Sequence, residues 1–193
     1  MNEYLQPSEF IDSKHPKILD KAQSLAENSS QKLEIARRCF SFVRDEIKHS
    51  YDFKLNPVTC KASDVLQHST GYCYAKSHLL AALLRANNIP AGLCYQRLRN
   101  NGSSPFCLHG LNAVYLEQHG WYRVDARGNK EGVRAKFTPP LERLAYAANT
   151  DREFELPEIF SEPLTIVTDI LMNCMTYNEV ADNLPDMNIC QQQ

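Results

Sequence analysis

The sequence has little net charge, little glycine and no long apolar run, and each deficit excludes a class of protein. Its 21 Lys and Arg nearly balance its 23 Asp and Glu, for a formal net charge of −2 at pH 7. This balance excludes a strongly basic nucleic-acid-binding domain and an acidic tail. Seven glycines and ten prolines in 193 residues exclude collagen-like and low-complexity chains. The longest apolar run, residues 79–84, is far too short to span a bilayer.

The chain also lacks any C-x-x-C pair, although it has seven cysteines. The spacing therefore does not predict a structural zinc site, and a chain of this length needs no disulfide framework. The N-terminal residues carry Glu3, Glu9 and Asp12 and have no apolar core of a secretory signal. We therefore expect a soluble cytoplasmic protein with reduced thiols, and no membrane or nucleic-acid partner.

Hydrophobic periodicity divides the chain into a helical front and a strand-rich middle. Helical spacing predicts a set of helices, with Pro90 after the fourth, and an extended pattern predicts three strands. The predicted helices cover residues 16–28, 31–48, 62–68, 73–86, 141–148 and 164–177, and the predicted strands cover 91–99, 108–117 and 121–126. Residues 49–61 and 100–105 read as loop and turn, and the last dozen residues as frayed. Strands that follow one another without helical crossovers indicate an α+β fold with an antiparallel sheet.

Cys73 is the candidate nucleophile of this sequence. It follows Gly71 and Tyr72 and opens a strongly apolar predicted helix, so it lies at the positive end of the helix dipole. That position favours the thiolate, which is the nucleophilic form of cysteine. The alternative is a buried, unreactive cysteine, which is common in protein cores.

His109 and Asp125 are candidates for the base that activates Cys73 and for the group that orients this base. His109 lies near the start of one predicted strand, and Asp125 lies at the end of the next. If the two strands pair as a hairpin, the start of one lies beside the end of the other, so the two side chains become neighbours. Taken singly, a strand His and a strand-end Asp are more often structural.

Two segments resemble the transglutaminase-like superfamily. The first is Gly71-Tyr72-Cys73-Tyr74-Ala75-Lys76 with the following LLAALLRA and Ile89-Pro90-Ala91-Gly92, which resembles the family's nucleophile helix. The second is His109-Gly110 with the later run Gly120-Trp121-Tyr122-Arg123-Val124-Asp125, which resembles its His and Asp strands. These motifs stand in the family's order and cover roughly residues 60–130. The resemblance implies a papain-like core in which N-terminal helices pack on an antiparallel sheet. Its nucleophile stands at the start of a buried central helix.

The resemblance also implies residue roles and a domain plan. It makes Cys73 the nucleophile, His109 the base and Asp125 the residue that orients His109, in an acyl transfer that needs no metal or organic cofactor. We expect one domain over residues 1–193. Its core would cover 60–130, its helical N-terminal part 10–50 and its C-terminal helical extension 138–180. The expected substrate is a peptide, a protein or a small amide.

The second donor to the oxyanion is open at this stage. Gln67 lies six residues before Cys73, the spacing of the oxyanion Gln in papain-like proteases. The alternative is a solvated residue at the end of a short helix. Tyr51 and Tyr72 are other donors that could line the pocket. Of the remaining histidines, His78 should be packed or on the surface, away from Cys73. His15, His49, His68 and His119 are expected in solvent.

The sequence departs from the larger animal transglutaminases. Tyr74 and Leu111 stand where those or other relatives commonly have Trp, and the chain lacks their flanking β domains and an evident calcium site. Protein cross-linking is therefore not predicted. Two alternatives are a non-catalytic interaction module that keeps the fold and an amide-cleaving deglycosylase, against which the absence of paired C-x-x-C motifs argues.

Overall fold

The computed structural model describes residues 1–100 and 105–187. Its elements follow the predicted order, with helices first and then an antiparallel meander, so the fold is α+β. The helices are a 3-10 helix at Asn2–Leu5, α1 Pro16–Ala26, α2 Lys32–Glu46, α3 Ser50–Phe53, α4 Ala62–His68, α5 Cys73–Ala86, α6 Thr165–Asn173 and α7 Tyr177–Asp182. The strands are β1 Lys48–His49, β2 Thr70–Gly71, β3 Ala91–Arg99, β4 Phe106–Leu116, β5 Gly120–Val124, β6 Lys136–Thr138, β7 Leu141–Arg143 and β8 Phe154–Glu155.

Helix α5 runs through the centre of the molecule. Every residue from Cys73 to Arg85 is buried, as its apolar sequence predicts for a helix that is hydrophobic on all sides. It contacts α1, α2 and α4 on one side and strands β3 and β4 on the other. The helix ends where Asn88 adopts a positive φ of 54° and Pro90 follows, which a helix cannot continue through.

The main sheet has four strands in the order β5-β4-β3-β8, and all its pairs are antiparallel. The predicted hairpin forms between β4 and β5, with Asn112 opposite Val124 and Val114 opposite Tyr122. Its strands begin and end within two residues of the predicted limits, an ordinary difference at element ends. Asp125 follows immediately after β5, so the hairpin carries it toward the His109 end of β4.

Three predicted segments are wrong in part. Residues 49–61 are not all loop, because they begin with the last residue of β1 and with α3. Residues 141–148 are not helical, because Leu141–Arg143 forms β7 opposite β6 and Glu142 bonds to the backbone and guanidinium of Arg123. Residues 164–177 do not form one helix, since Cys174 is extended and separates α6 from α7. These tertiary contacts override local helix propensity.

The expected C-terminal helical extension over 138–180 is therefore helical only from Thr165 onward. The prediction of a turn at 100–105 lies for the most part outside the described residues, and so does the end of the frayed tail. Among the helices in the described residues, none combines the length and apolar character that crossing a membrane requires.

Candidate active site

Cys73 is the first residue of α5 and is 7% exposed. The preceding residue, Tyr72, is extended, with φ −66° and ψ 166°, and no side chain caps the helix start. The first backbone N–H groups of a helix have no partner inside the helix, so an uncapped start can bind a negatively charged atom. The predicted placement of Cys73 at a helix N-terminus is confirmed.

Gly110 allows strand β4 to pass very close to the start of α5. A Cβ atom at this position would lie 2.9 Å from Cδ1 and 3.1 Å from Cα of Tyr74, closer than any other residue type tolerates without a shift. The Tyr74 hydroxyl donates a hydrogen bond to the carbonyl of Leu108 on the same strand. These two contacts hold the neighbouring residue, His109, against the start of α5, where it lines the same cavity as Cys73.

His109 and Asp125 form a buried pair. Nε2 of His109 lies 2.7 Å from Oδ2 of Asp125, and the carboxylate is fully buried. Because Nε2 faces Asp125, the other ring nitrogen, Nδ1, remains for Cys73. Asp125 also accepts hydrogen bonds from the backbone N–H of Arg127 at 3.1 Å and of Ala145 at 3.1 Å. The structure thus brings together the three side chains that the sequence singled out.

The electrostatics of the pair favour a charged imidazole. Burial opposes a positive charge on His109, but the adjacent Asp125 carboxylate and Cys73 thiol outweigh it and raise the pKa of His109 to about 10. Burial acts against the charge of Asp125 as well, yet His109 and the two backbone N–H groups lower the pKa of this carboxyl. An Asp⁻–His⁺ pair next to a thiol is the arrangement that activates a cysteine nucleophile.

Cys73 and His109 line a cavity of about 720 Å³. This volume is within the usual range of ligand pockets. Its walls come from α3, α5, β3, β4, the segment after β5, the segment after β7 and the end of α7. The lining residues are His49, Tyr51, Tyr72, Cys73, Tyr74, Leu98, Arg99, Asn100, Cys107, Leu108, His109, Arg127, Lys130, Ala145, Tyr146, Ala147, Asn149, Glu153, Ala181 and Leu184.

A cluster of charges braces one wall of the cavity. Arg127 donates two hydrogen bonds to Asp52, at 2.7 and 3.1 Å, and Lys130 donates a third at 2.8 Å. Burial works against the charge of Asp52, but these cations outweigh it and lower the pKa of the carboxyl to about 2. The cluster ties α3 to the segment that follows Asp125.

The predicted oxyanion donors do not all reach the cavity. Gln67 was predicted wrongly: its side chain is exposed, does not line the cavity and accepts a hydrogen bond from Nζ of Lys17 at 3.0 Å. A six-residue spacing brings Gln to the site only when the intervening backbone turns toward it, and here α4 ends in between. Tyr72 lines the cavity, but its hydroxyl donates to the carbonyl of Tyr177 at 2.5 Å. Tyr51 lines the cavity and is 53% exposed, so its role stays a prediction.

Two residues that line the cavity were not predicted there from the sequence. His49, expected in solvent, is 6% exposed, because β1 pairs in parallel with β2 and sets His49 opposite Gly71. Tyr146, expected in a helix, stands edge-on to the His109 ring, with centroids 5.0 Å apart and planes at 89°. A histidine directly after the end of an amphipathic helix gives no signal of burial. His49 is buried by the pairing of two strands of two residues each. Strands this short have no hydrophobic period that a sequence analysis could detect.

No ready-made metal site accompanies these residues. In the part of the chain that the structure describes, no three His, Cys, Asp or Glu side chains are grouped as a metal ion would require. The cysteines of this part, Cys39, Cys60, Cys73, Cys94, Cys107 and Cys174, are all free thiols. Burial raises the pKa of Cys39, Cys60, Cys94 and Cys107 to about 12, so these four are poor nucleophiles near neutral pH.

Comparison with solved structures finds relatives of low sequence identity, of which three are described. A candidate cysteine protease from Cytophaga hutchinsonii is 20% identical with a TM-score of 0.51, over 64% of this chain and 40% of that protein. The periplasmic domain of TgpA from Pseudomonas aeruginosa is 20% identical with a TM-score of 0.48, over 64% and 45%. The arylamine N-acetyltransferase from Mycobacterium abscessus is 17% identical with a TM-score of 0.47, over 78% and 55%. The chain therefore spans only 40–55% of the length of these proteins.

No curated protein sequence matches the chain. A family model does match: that of the transglutaminase-like superfamily, over residues 20–126. This range is more than half of the chain and contains Cys73, His109 and Asp125. The likeness to the Cytophaga protein independently supports the predicted papain-like fold class. The helical front, the uncapped helix that begins at Cys73 and the strands that carry His109 and Asp125 thus follow one known plan, and the chain belongs to the transglutaminase-like superfamily.

Proposed function

We propose that the protein is a cysteine-dependent amide hydrolase or acyltransferase. The observation that carries the proposal is the buried series Cys73–His109–Asp125, which opens on a cavity through Cys73 and His109. Membership of the transglutaminase-like superfamily agrees with this chemistry, and the Cytophaga relative is itself named as a cysteine protease candidate. A non-catalytic binding module would have no need for a buried carboxylate that raises the pKa of a cavity histidine.

The first half of the reaction forms a thioester. The Cys73 thiolate attacks the carbonyl carbon of an amide or ester, a C–S bond forms, and the carbonyl π electrons move to the oxygen. The backbone N–H of Cys73 at the open helix start stabilises this oxyanion. When the intermediate collapses, the bond to the leaving group breaks and His109 supplies the proton that this group takes up.

The second half releases the acyl group. Water, or an amine in a transamidation, gives a proton to His109 and attacks the thioester carbonyl. The C–S bond then breaks, which returns Cys73 as thiolate and His109 as imidazolium. Asp125 does not take up the proton: it keeps the ring oriented and stabilises its positive charge. The proposed substrate is a peptide, a protein side chain or a small amide, and the proposed location is the cytoplasm, where its thiols would stay reduced.

Selective labelling tests the proposal. Iodoacetamide at pH 7 should modify Cys73 faster than Cys107 and Cys174, the two partly exposed thiols in the described residues, as read by peptide mass spectrometry. His109→Ala should slow the labelling of Cys73 alone. The same method should find an acyl adduct on Cys73 after treatment with p-nitrophenyl acetate. Separate treatments with glutamine peptides, isopeptides and small amides would then show which of these substrate classes acylates Cys73. Equal labelling of the three thiols in both proteins would contradict the proposal.

A further inference from the structure

We propose that His49 supplies the second hydrogen bond to the acyl oxygen, the role for which the sequence offered Gln67. The inference rests on the proposed function, because it assigns a further residue to the same acyl transfer. It does not depend on which amide or ester is the substrate, since every such substrate forms the same oxyanion.

The position of His49 matches this role. Strand β1 pairs in parallel with β2, and His49 stands opposite Gly71, two residues before Cys73. His109 reaches Cys73 from the main sheet, whereas His49 comes from this separate two-stranded pair. Both imidazoles line the same cavity as the thiol. An acyl carbon bound to Cys73 would therefore have a base supplied by one strand and a hydrogen-bond donor by the other.

The imidazole of His49 has no hydrogen bond within the described residues. Nδ1 is buried without a partner, and the residue is 6% exposed. Its shortest approach to an acidic oxygen, 3.7 Å from Nδ1 to Oδ2 of Asp52, is too long for a hydrogen bond. A buried polar ring without a partner costs about 1–3 kcal/mol, and such exceptions in native proteins call for an explanation. Nδ1 lies on the Asp52 side of the ring, so Nε2 is the ring nitrogen left for a substrate atom in the cavity that His49 shares with Cys73.

The surroundings of the ring leave its proton free to face the cavity. Asp52 does not hold it on Nδ1, because its nearest oxygen, Oδ2, lies 3.7 Å from Nδ1 and accepts a hydrogen bond from Arg127 instead. The Tyr72 ring packs against the imidazole in an edge-to-face arrangement, with centroids 5.4 Å apart and planes at 62°. Burial, followed by the charge of Arg127, lowers the pKa of His49 well below its usual value, so the ring is neutral at pH 7. A neutral imidazole can donate to a developing oxyanion without drawing the thiolate charge away from His109.

In the reaction, Nε2–H of His49 and the backbone N–H of Cys73 would both donate to the oxygen that becomes negative when the C–S bond forms. Neither donor loses its proton, and the proton for the leaving group still comes from His109. Donors fixed before the reaction stabilise the transition state more than the ground state, because the oxygen carries its full negative charge only after attack.

Two reactions of the same thiol separate this role from a structural one. Acylation of Cys73 by p-nitrophenyl acetate passes through an oxyanion, whereas alkylation by iodoacetamide is a displacement at a saturated carbon and forms none. His49→Phe keeps an aromatic ring against Tyr72 but has no N–H. We expect it to slow acylation about 10²–10³-fold, the usual effect of losing one oxyanion donor, and to leave the alkylation rate essentially unchanged. His49→Gln, which keeps a side-chain N–H, should recover part of the acylation rate.

The outcomes are distinct. An equal loss of both rates in His49→Phe would show that His49 only positions Cys73 or His109, and an unchanged acylation rate would show that it has no role; either result overturns the inference. His49→Met provides a second donor-free variant of smaller shape, and circular dichroism spectra with melting temperatures show which variants are folded. Failure of the proposed function looks different, because the wild-type protein itself would then form no acyl adduct on Cys73.

Discussion

The start and the interior of helix α5 lie in opposite environments, each with a buried histidine. At the N-terminal end, His109 packs beside Cys73 and a charged carboxylate, and its pKa rises to about 10. Further along the helix, His78 is fully buried among the aliphatic residues of the core and bonds through Nδ1 only to the carbonyl of Cys60, at 2.8 Å. Burial lowers the pKa of His78 to about 4.

The contrast shows that burial does not decide the charge of a histidine. Both rings are buried, and burial lowers the pKa of each. His109 differs because Asp125 stands 2.7 Å away, so the low dielectric that penalises an isolated charge strengthens the pair. The start of the helix thus lies beside a charged pair, whereas its interior lies in an apolar core, and the predictions change one or the other.

The largest expected effect comes from removing the charge that distinguishes His109. Asp125→Asn keeps the shape of the side chain but should lower turnover by up to about 10⁴-fold, as the same replacement does in a Ser–His–Asp triad. The pKa of His109 should fall toward its ordinary value, and the pH dependence of Cys73 alkylation should move with it. Asp64→Asn, at an exposed carboxylate, is the matched control. If Asp125→Asn retained its rate, the contrast between His109 and His78 would have no catalytic meaning.

In the interior of α5, a cavity should lower the free energy of unfolding and leave the reactivity of Cys73 unchanged. Leu83 is fully buried in the core cluster, so Leu83→Ala should lower the free energy of unfolding by about 2–5 kcal/mol in urea titrations. Leu19→Ala, at a leucine that is 43% exposed, should lower it by less than about 1 kcal/mol. The alkylation rate of Cys73 in the folded fraction should match that of the wild-type protein. A large loss of rate in Leu83→Ala would show that the helix interior and the Cys73 site are coupled.

The two histidines also predict opposite responses of stability to pH. The unfolded chain binds a proton at His78 near pH 6.5, but the folded protein does so only near pH 4, so stability falls as the pH drops through this window. The loss from this group reaches up to about 3 kcal/mol at pH 4. For His109 the sign is reversed, because its contribution is complete below pH 6.5 and is lost as the pH rises through about 10.

His78→Gln tests the acid side of this prediction. The variant can still donate to the Cys60 carbonyl but has no group that titrates in this range, so its stability should fall less steeply between pH 6.5 and 4. Melting temperatures at several pH values measure the difference from the wild-type protein. His68→Gln, at an exposed histidine, should leave the slope unchanged. Parallel pH profiles for His78→Gln and wild type would contradict the assignment of a strongly lowered pKa.

The smallest expected effect concerns the residue that the spacing rule selected. Gln67 is exposed and bonds to Lys17, so Gln67→Ala should change the free energy of unfolding by no more than about 0.5 kcal/mol. Its acylation rate with p-nitrophenyl acetate should equal that of the wild-type protein. A slow acylation in Gln67→Ala beside a normal one in His49→Phe would reverse the assignment made above.

The sequence was sufficient for the parts of the site that lie on regular elements. An apolar helix that starts at Cys73 and a hairpin with Asp125 at its end have periods that can be read, and these periods bring Cys73, His109 and Asp125 together. The order of the motifs along the chain also indicated the transglutaminase-like superfamily. The predicted hairpin made His109 and Asp125 neighbours, and the side chains do meet, at 2.7 Å.

The rest of the site depends on segments without a period. His49 is buried because two strands of two residues pair, and Tyr146 lies on irregular backbone that the alanines at 145, 147 and 148 made resemble a helix. Ala145 instead gives its N–H to Asp125. Such contacts between residues far apart in sequence are set by the folded backbone, and local propensity carries no information about them.

The contacts of Asp125 reach beyond the segment that similarity defines. The family match ends at residue 126, yet the carboxylate takes a hydrogen bond from Ala145, and the adjacent Tyr146 covers the imidazole of His109. A fragment cut at the end of the match would keep all three reactive side chains and lose the groups that hold two of them in place. The part of the chain that holds His109 and Asp125 in place is therefore longer than the region that identifies the family, and expression boundaries are better drawn from hydrogen bonds than from alignment limits.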